Sequence, residues 1–367
     1  MKKLLMIDTT WPINSRTERF RVSLSKKYLV HVSAWNRGAS KNDSVQCHDI
    51  LDSNIKYGNR FGKLFLLPKF IRHNVRVVEN NSPDIIFASH WDSLICAVIA
   101  KKITGSTAKI VYDCLDLPSS SNRLLLKLLK TVEGFSLSYT DFVIFASRYY
   151  PDLYNLNQSY LVYENYPSRY SAPVLDSSPS WYDLAKELKI ESSASISWIG
   201  VVRYPEVLCN LILSIRALDV KLFVFGDGPS LDYLKSYVIS EGLEGRVHFF
   251  GRYKYNELPF IYEVTDFVWA AYPTLDFNSV YAISNKYFES SLFCRVPIFS
   301  NNTKMAESLR GRNPSVLLVD EYDVDSISVT LSSAIGEDII NLPFCKYEED
   351  VFWDDVEDKL FDALSGI

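Results

Sequence analysis

Ser284-Asn285-Lys286-Tyr287-Phe288-Glu289-Ser290-Ser291-Leu292-Phe293-Cys294-Arg295-Val296-Pro297-Ile298-Phe299-Ser300-Asn301 is the stretch on which the reading of this chain turns. Its pattern predicts a helix that opens on a polar cap, carries Lys286 and Glu289 one turn apart, and breaks into a short strand around Pro297. Ser or Asn at a helix start leaves N–H groups pointing outward, and with the local dipole these favour a bound phosphate. Lys286 in the first turn adds a cation to the same anion site. Glu289, on the same face, is placed to accept hydrogen bonds from sugar or ribose hydroxyls. For these few residues alone, a capped helix with a solvated Lys–Glu pair is the plainer reading.

The whole string resembles the nucleotide-sugar-binding segment of GT-B glycosyltransferases, in which (P/S)-N-K-x-x-E-x-x-x-x-G-x-P-V-I-x-S recurs. Cys294 stands where that family has Gly, which implies a slightly wider turn. Tyr281, eight residues before Glu289, stands where many retaining members carry a second glutamate that holds the donor sugar. The stereochemical course is therefore open.

Length and composition agree with two ordinary domains: 367 residues, 47% hydrophobic and 23% charged, exclude disordered and fibrous classes. The 14% of aromatic residues suits stacking surfaces as well as cores. Six cysteines lie scattered with no C-x-x-C, which points to a reducing compartment and away from a zinc site. Only four apolar residues separate Met1-Lys2-Lys3 from Asp8, too few for a signal peptide. No run approaches the roughly 18 apolar residues of a membrane span. A cytoplasmic chain, soluble or peripheral at the inner face of the plasma membrane, is expected. The net charge of −5 conceals an asymmetry: residues 1–165 hold 22 basic and 14 acidic residues, the remainder 17 and 30. Two differently employed halves follow.

From the start of the chain, Leu4-Leu5-Met6-Ile7 reads as a buried strand ending at Asp8, Thr17–Lys27 as a helix and Leu29–Ser33 as a second strand. The intervening loop lacks G-x-G-x-x-G, so a dinucleotide site is not expected there. Arg16, Arg19 and Arg21 crowd it, as solvated surface or as contacts to an acceptor phosphate. Residues 57–79 carry six basic side chains and one acid interleaved with Phe and Leu, and Arg123–Lys130 repeats the theme. Such stretches suit an anionic membrane interface or a core helix with a positive outer face. Pro83-Asp84-Ile85-Ile86-Phe87-Ala88-Ser89-His90 and Ala108–Asp116 read as strands, placing His90, Asp113 and Asp116 at carboxyl ends, where ligands of parallel sheets bind. They are similar to the GT-B pattern P-D-(I/V)-(I/V)-x-x-H followed by Y-D-x-x-D. The plainer roles are a satisfied strand-end histidine for His90 and a loop-tying acid for Asp113.

Tyr166–Pro179, rich in Pro, Ser and Tyr, is an aperiodic linker. Beyond it Ser195–Gly200 reads as a strand leading to a loop with Val201 and Arg203, and Gly226-Asp227-Gly228-Pro229 as a strand-to-helix turn. Gly226 and Gly228 permit close backbone approach to a ligand, though a tight turn needs none. Asp323-Val324-Asp325 resembles a metal-holding D-x-D triplet, but it precedes a helix whose start it would satisfy. No metal site is expected. Phe352, Trp353, Val356, Leu360 and Phe361 recur at helical spacing in an acidic tail.

The resemblance, to family-4-like and xanthan-type enzymes, implies an α/β chain of GT-B architecture with two Rossmann-like domains facing across a cleft. It implies an acceptor domain over 1–165, the linker 166–179, a nucleotide-sugar domain over 180–343, and a helix in 344–367 packing back on the first domain. It implies transfer of a sugar from a nucleotide-diphosphate donor to a glycan acceptor, lipid-linked, in surface or exopolysaccharide assembly, without a cofactor and without nucleic acid. Gly200, Arg203, Gly226, Gly228, Ser284, Asn285, Lys286 and Glu289 would hold the donor. Tyr112–Asp116 looks similar to the Y-x-x-x-D segment of xanthan-type glucuronosyltransferases, whose aspartate is the base, so Asp116 is the catalytic candidate, with Asp113 and His90 behind it. A nucleotide-sugar epimerase and a non-catalytic scaffold are the alternatives.

Overall fold

The computed structural model describes residues 1–38, 48–55, 60–120, 122–169, 177–311 and 315–367. The chain divides into two units, Met1–Glu164 with Asp355–Ile367, and Asn165–Asp354.

The first unit holds β1 (Lys3–Asp8), β2 (Leu29–Asn36), β3 (His48–Asp52), β4 (Ile85–Ser89), β5 (Lys109–Cys114), β6 (Phe142–Phe145) and β7 (Tyr160–Val162). They pair in parallel in the order β3-β2-β1-β4-β5-β6-β7. Helices cover both faces of such a sheet, which is why its central strands are continuous apolar runs. Leu5, Met6, Ile7, Ile86, Phe87 and Val111 are wholly buried. The register sets Ile7 beside Ala88, and Ser89 beside Asp113, so Asp8, Ser89 and Asp113 reach one carboxyl edge together.

Local signals place the helices that flank this edge. Asn14 accepts from the N–H groups of Arg16 and Thr17, so the helix Ser15–Leu24 starts two residues before the sequence-based expectation. Gly105 closes His90–Thr104 in the left-handed conformation. The helix Glu357–Ser365 packs within this first unit. Glu357 accepts from Ser23 Oγ at 2.6 Å and Lys26 Nζ at 2.5 Å, Lys27 lies 4.2 Å over the Phe361 ring, and Leu360 and Leu364 are buried.

The basic stretch 57–79 falls in the helix Arg60–Asn81, with Tyr57–Asn59 outside the described residues. Phe70 stacks on Trp35 at 5.2 Å, and Asn74 accepts from Ser33 Oγ at 2.8 Å, so the helix is anchored in the core. Leu64 and Phe65 nevertheless stand in solvent. Among the described residues no helix is long and apolar enough to cross a membrane.

The second unit holds β8 (Ala194–Ile199), β9 (Val220–Phe225), β10 (Val247–Gly251), β11 (Phe267–Ala270), β12 (Val296–Ser300) and β13 (Leu317–Val319), parallel in the order β10-β9-β8-β11-β12-β13. Its main core gathers Ile196, Trp198, Leu211, Leu222, Val224, Trp269 and Ile298 between sheet and helices. In each sheet the strand order reverses once, at β1/β4 and at β8/β11. A parallel sheet offers its ligand crevice at such a switch point.

Candidate functional site

In the second unit β8 and β9 end at Gly200 and Gly226, with φ of 147° and 148°. A Cβ on Gly226 would fall 1.8 Å from Gly200 O, and one on Gly228 2.3 Å from Val202 O. Gly226 and Gly228 therefore let two loops of the chain close on each other, the tight turn that needs no ligand. The loops interlock through Gly200 N–H to Phe225 O at 2.9 Å and Val202 N–H to Asp227 O at 3.0 Å. The Gly200 N–H is thus already used. That of Val201, an exposed residue, has no internal acceptor among the described residues. Arg203 lies exposed beside it, 4.8 Å over the Tyr204 ring and outside any ion pair among the described residues.

Across the switch point, Ser284 caps the helix Asn285–Leu292, accepting from Lys286 N–H at 3.2 Å, and its Oγ lies 3.3 Å from the Tyr272 hydroxyl. Asn285 is half-buried at the first helical position. Lys286 Nζ meets Glu289 Oε2 at 2.5 Å, and the same oxygen accepts from the Tyr262 hydroxyl at 2.8 Å. The two side chains are only 7% and 5% exposed, so the pair is buried, not solvated. Burial works against the charge on Lys286, but Glu289, with Tyr253 and Tyr272 nearby, holds its pKa above the usual lysine value. An ammonium has three donors, so pairing with Glu289 leaves others for a ligand.

Trp198 and Tyr204 pack edge-on against Tyr272 at 5.8 and 6.0 Å, giving the crevice an aromatic wall. Sequence reasoning did not find this wall, although the high aromatic content was its signal. It also missed Glu321. That buried carboxylate accepts from the N–H and hydroxyl of Thr274 at 2.7 and 2.6 Å, tethering the loop that follows β11, while its Oε2 has no partner among the described residues.

In the first unit Asp8 accepts from Thr10 N–H at 2.9 Å, Thr10 Oγ at 2.7 Å and Asn14 Nδ2 at 2.9 Å. Burial raises its pKa against these bonds and the nearby His90. Asp113 is fully buried in a bidentate pair with Arg16, whose Nε lies 3.1 Å from both carboxylate oxygens. Arg16 donates onward to Tyr163 O at 2.7 Å. Asp113 is therefore a structural acid, and Arg16 is no acceptor-phosphate contact. Arg21 is paired with Glu18 at 2.6 Å.

His90 opens its helix with φ of 68°, a left-handed conformation that an ordinary side chain adopts only when its surroundings enforce it. It is half-buried and close enough to Asp8 and Asp92 for its charge to lower the pKa of both. Asp92 is buried, accepts from Thr9 Oγ at 3.1 Å and is paired with Lys63. Asp116 stands exposed in the loop after β5. The carboxyl edge of β1, β4 and β5 thus brings together His90, Asp113 and Asp116, of which Asp113 is buried, His90 half-buried and Asp116 exposed. Asp323 caps the helix Val324–Gly336 by accepting from the N–H groups of Asp325 and Ser326, which accounts for the D-x-D triplet.

No protein-family model matches the chain. Over 270 residues it is 26% identical to the succinoglycan biosynthesis protein ExoL of Rhizobium meliloti, a match taking in 68% of the chain and 63% of ExoL, less than two thirds of the relative's length. Solved structures match throughout. HepE of Anabaena, in complex with UDP and glucose, superposes with a TM-score of 0.71 at 15% identity, covering 100% of both chains. The sucrose-phosphate synthase of Thermosynechococcus elongatus gives 0.73 at 12% identity over 100% of this chain and 99% of that one. The chain has the GT-B fold. The lipopolysaccharide outer core galactosyltransferase WaaB is a further GT-B structure similar to it, with a TM-score of 0.63 at 15% identity over 99% of each chain. The two parallel sheets expected of a GT-B chain are present, with seven and six strands.

Proposed function

We propose that this chain is a glycosyltransferase that moves a sugar from a nucleoside-diphosphate donor to a glycan acceptor carried on a lipid, in assembly of an exported polysaccharide. The observation that carries the reading is the buried Lys286–Glu289 pair in the first turns of a helix capped by Ser284, at the carboxyl edge of a parallel sheet. A desolvated ammonium fixed at a helix start is a preorganised site for a diphosphate. HepE, similar throughout, is described in complex with UDP-glucose, and ExoL acts in succinoglycan biosynthesis. An epimerase or a scaffold draws no support from these relatives.

On this reading the donor lies on the second unit. Lys286, Arg203, the Val201 N–H and the free N–H groups around Asn285 meet the charge of the leaving diphosphate, so the scheme asks for no metal or cofactor. Glu289 holds Lys286 in place and offers an acceptor to a donor hydroxyl. The acceptor lies on the first unit, where Asp116 takes the proton from the attacking hydroxyl as the bond from the anomeric carbon to the diphosphate oxygen breaks. His90 is the second candidate for that role. A chain working on a lipid-linked glycan acts at the inner face of the plasma membrane as a peripheral protein.

The test is incubation of the purified chain with UDP-, GDP- and CMP-sugars. Slow donor hydrolysis, accelerated by acceptor glycan, is the expected result. Formation of an epimer, or no turnover of any donor, overturns the reading.

A further inference from the structure

The loop that follows β11 carries Tyr272, which belongs to both sides of the crevice. Its ring meets Trp198 and Tyr204 of the β8 side, and its hydroxyl lies 3.3 Å from the Ser284 Oγ that caps the helix of Lys286. This loop is pinned from behind at three points. Tyr272 O accepts from Ser300 Oγ at 2.7 Å, the N–H and hydroxyl of Thr274 both donate to Glu321 Oε1, and Leu275 N–H donates to the Tyr322 hydroxyl at 3.3 Å. Ser300 ends β12, while Glu321 and Tyr322 follow β13. The backbone carbonyl of Glu321 accepts from Asn210 Nδ2 at 3.0 Å, which joins the same residue to the helix Pro205–Ser214 that starts directly after Tyr204.

The three pins are not alike. Ser300 and Tyr322 hold the loop with neutral hydroxyls, whereas Glu321 is a carboxylate with no solvent exposure and with Oε2 left without a partner among the described residues. Withdrawing such an oxygen from water without replacing its hydrogen bonds lowers stability. A surface loop needs no anchor of this kind to connect two elements, and Leu275 in this one is 84% exposed. Fixing a loop in the fold does serve a ligand, because order already present is not lost again on binding.

Strand order shows which part of a ligand the loop can meet. The diphosphate site read above lies at the β8/β11 switch point, and residues 272–276 with their pins lie on the β11–β13 side of it. A donor held by its diphosphate therefore reaches them with one end only. Residues 272–283 include Thr, Asp, Asn and Ser and no Lys or Arg, a set that exchanges hydrogen bonds with sugar hydroxyls and brings no cation to a further phosphate. We propose that Glu321 is a positioning residue for the donor's sugar: by holding Thr274 it fixes residues 272–276, and with them Tyr272, at the crevice. This assignment rests on the donor reading above.

Calorimetry of the full chain with UDP and with UDP-glucose tests it in the parent, in E321Q, in T274V and in the double variant. E321Q should weaken UDP-glucose about tenfold and leave UDP within about twofold of the parent. T274V keeps the side-chain volume and the N–H donor, so it should weaken UDP-glucose about threefold. It reads the same contact should E321Q melt lower. Because both act through one contact, the double variant should bind UDP-glucose as E321Q does. Equal weakening of UDP and UDP-glucose would reduce Glu321 to a structural acid and overturn the proposal. So would an unchanged UDP-glucose affinity in either variant, or additive losses in the double one. A parent that transfers sugar while E321Q binds UDP-glucose normally would sink this proposal alone. A parent that shows the E321Q-sensitive affinity without turnover of any donor would sink the transferase reading alone, and one that binds neither ligand would overturn both.

Discussion

Replacing Lys286 by Met and Glu289 by Gln, singly and together, separates the folding role of the pair from its proposed role in a donor site. The charges meet at 2.5 Å with side chains only 7% and 5% exposed. Lys286→Met leaves Glu289 buried with the Tyr262 hydroxyl as its one remaining donor among the described residues. Breaking a buried pair from one side costs about 3–5 kcal/mol. For a unit of this size that lowers the melting temperature by roughly 10 °C. The double variant carries neither charge and should regain most of the loss. Binding should respond differently. A charge-assisted contact to the diphosphate contributes about 1.5–3 kcal/mol, so UDP affinity by calorimetry should fall about 10- to 150-fold in Lys286→Met and stay low in the double variant. A folded double variant that binds UDP as the parent does would remove Lys286 from the donor site.

Asp116→Asn should slow transfer by about 10²–10⁴ with UDP affinity intact, and an active variant would sink the base assignment. Asp113→Asn should act on stability instead, because it strands the buried Arg16 guanidinium, and normal melting with lost activity would contradict the structural role given to it. Burial pushes the Glu133 carboxyl up from 4.5 to about 7 against the hydrogen bonds from Tyr112 and Tyr154. The folded chain then holds a proton that the unfolded chain has lost, so stability falls as pH rises from 4.5 to about 7 and stays reduced above it. The total is about 3 kcal/mol, and Glu133→Gln should raise the melting temperature at pH 8 but not at pH 4, an equal effect at both counting against the shift. Gly228→Ala places a Cβ 2.3 Å from one backbone oxygen and 2.7 Å from a backbone nitrogen of Val202, so it should cost more than about 1 kcal/mol, and unchanged melting would refute the loop contact.

Features that depend on near neighbours in sequence could be read in advance. Ser284, Lys286 and Glu289 lie within two turns of one helix, and strands such as Leu4–Ile7 announce themselves by continuous apolar residues because both faces of the sheet are covered. What escaped depends on partners far along the chain. Arg16 meets Asp113 across 97 positions and Thr274 meets Glu321 across 47, and only the strand order makes either pair adjacent. Gly226 and Gly228 were visible as a turn, but that the Gly200–Val202 loop lies against them depends on the pairing of β8 with β9. His90 could be placed at a strand end. Its left-handed backbone could not, since that conformation is imposed by packing and not by residue type.

The segment Asp355–Ile367, with the helix Glu357–Ser365, completes a unit whose other residues all precede Asn165. During synthesis, therefore, the first sheet must wait for the whole of Asn165–Asp354 to be made before the surface of Ser15–Leu24 that receives Glu357 and Phe361 is covered. The second unit is continuous in sequence and has no such delay. Although domains ordinarily fold in the order of synthesis, here the later unit can reach its final form first. Loss of the residues after Asp354 would then leave the second unit whole beside a first unit stripped of the helix that covers Ser15–Leu24, and on the proposed function such a protein should bind donor without transferring it.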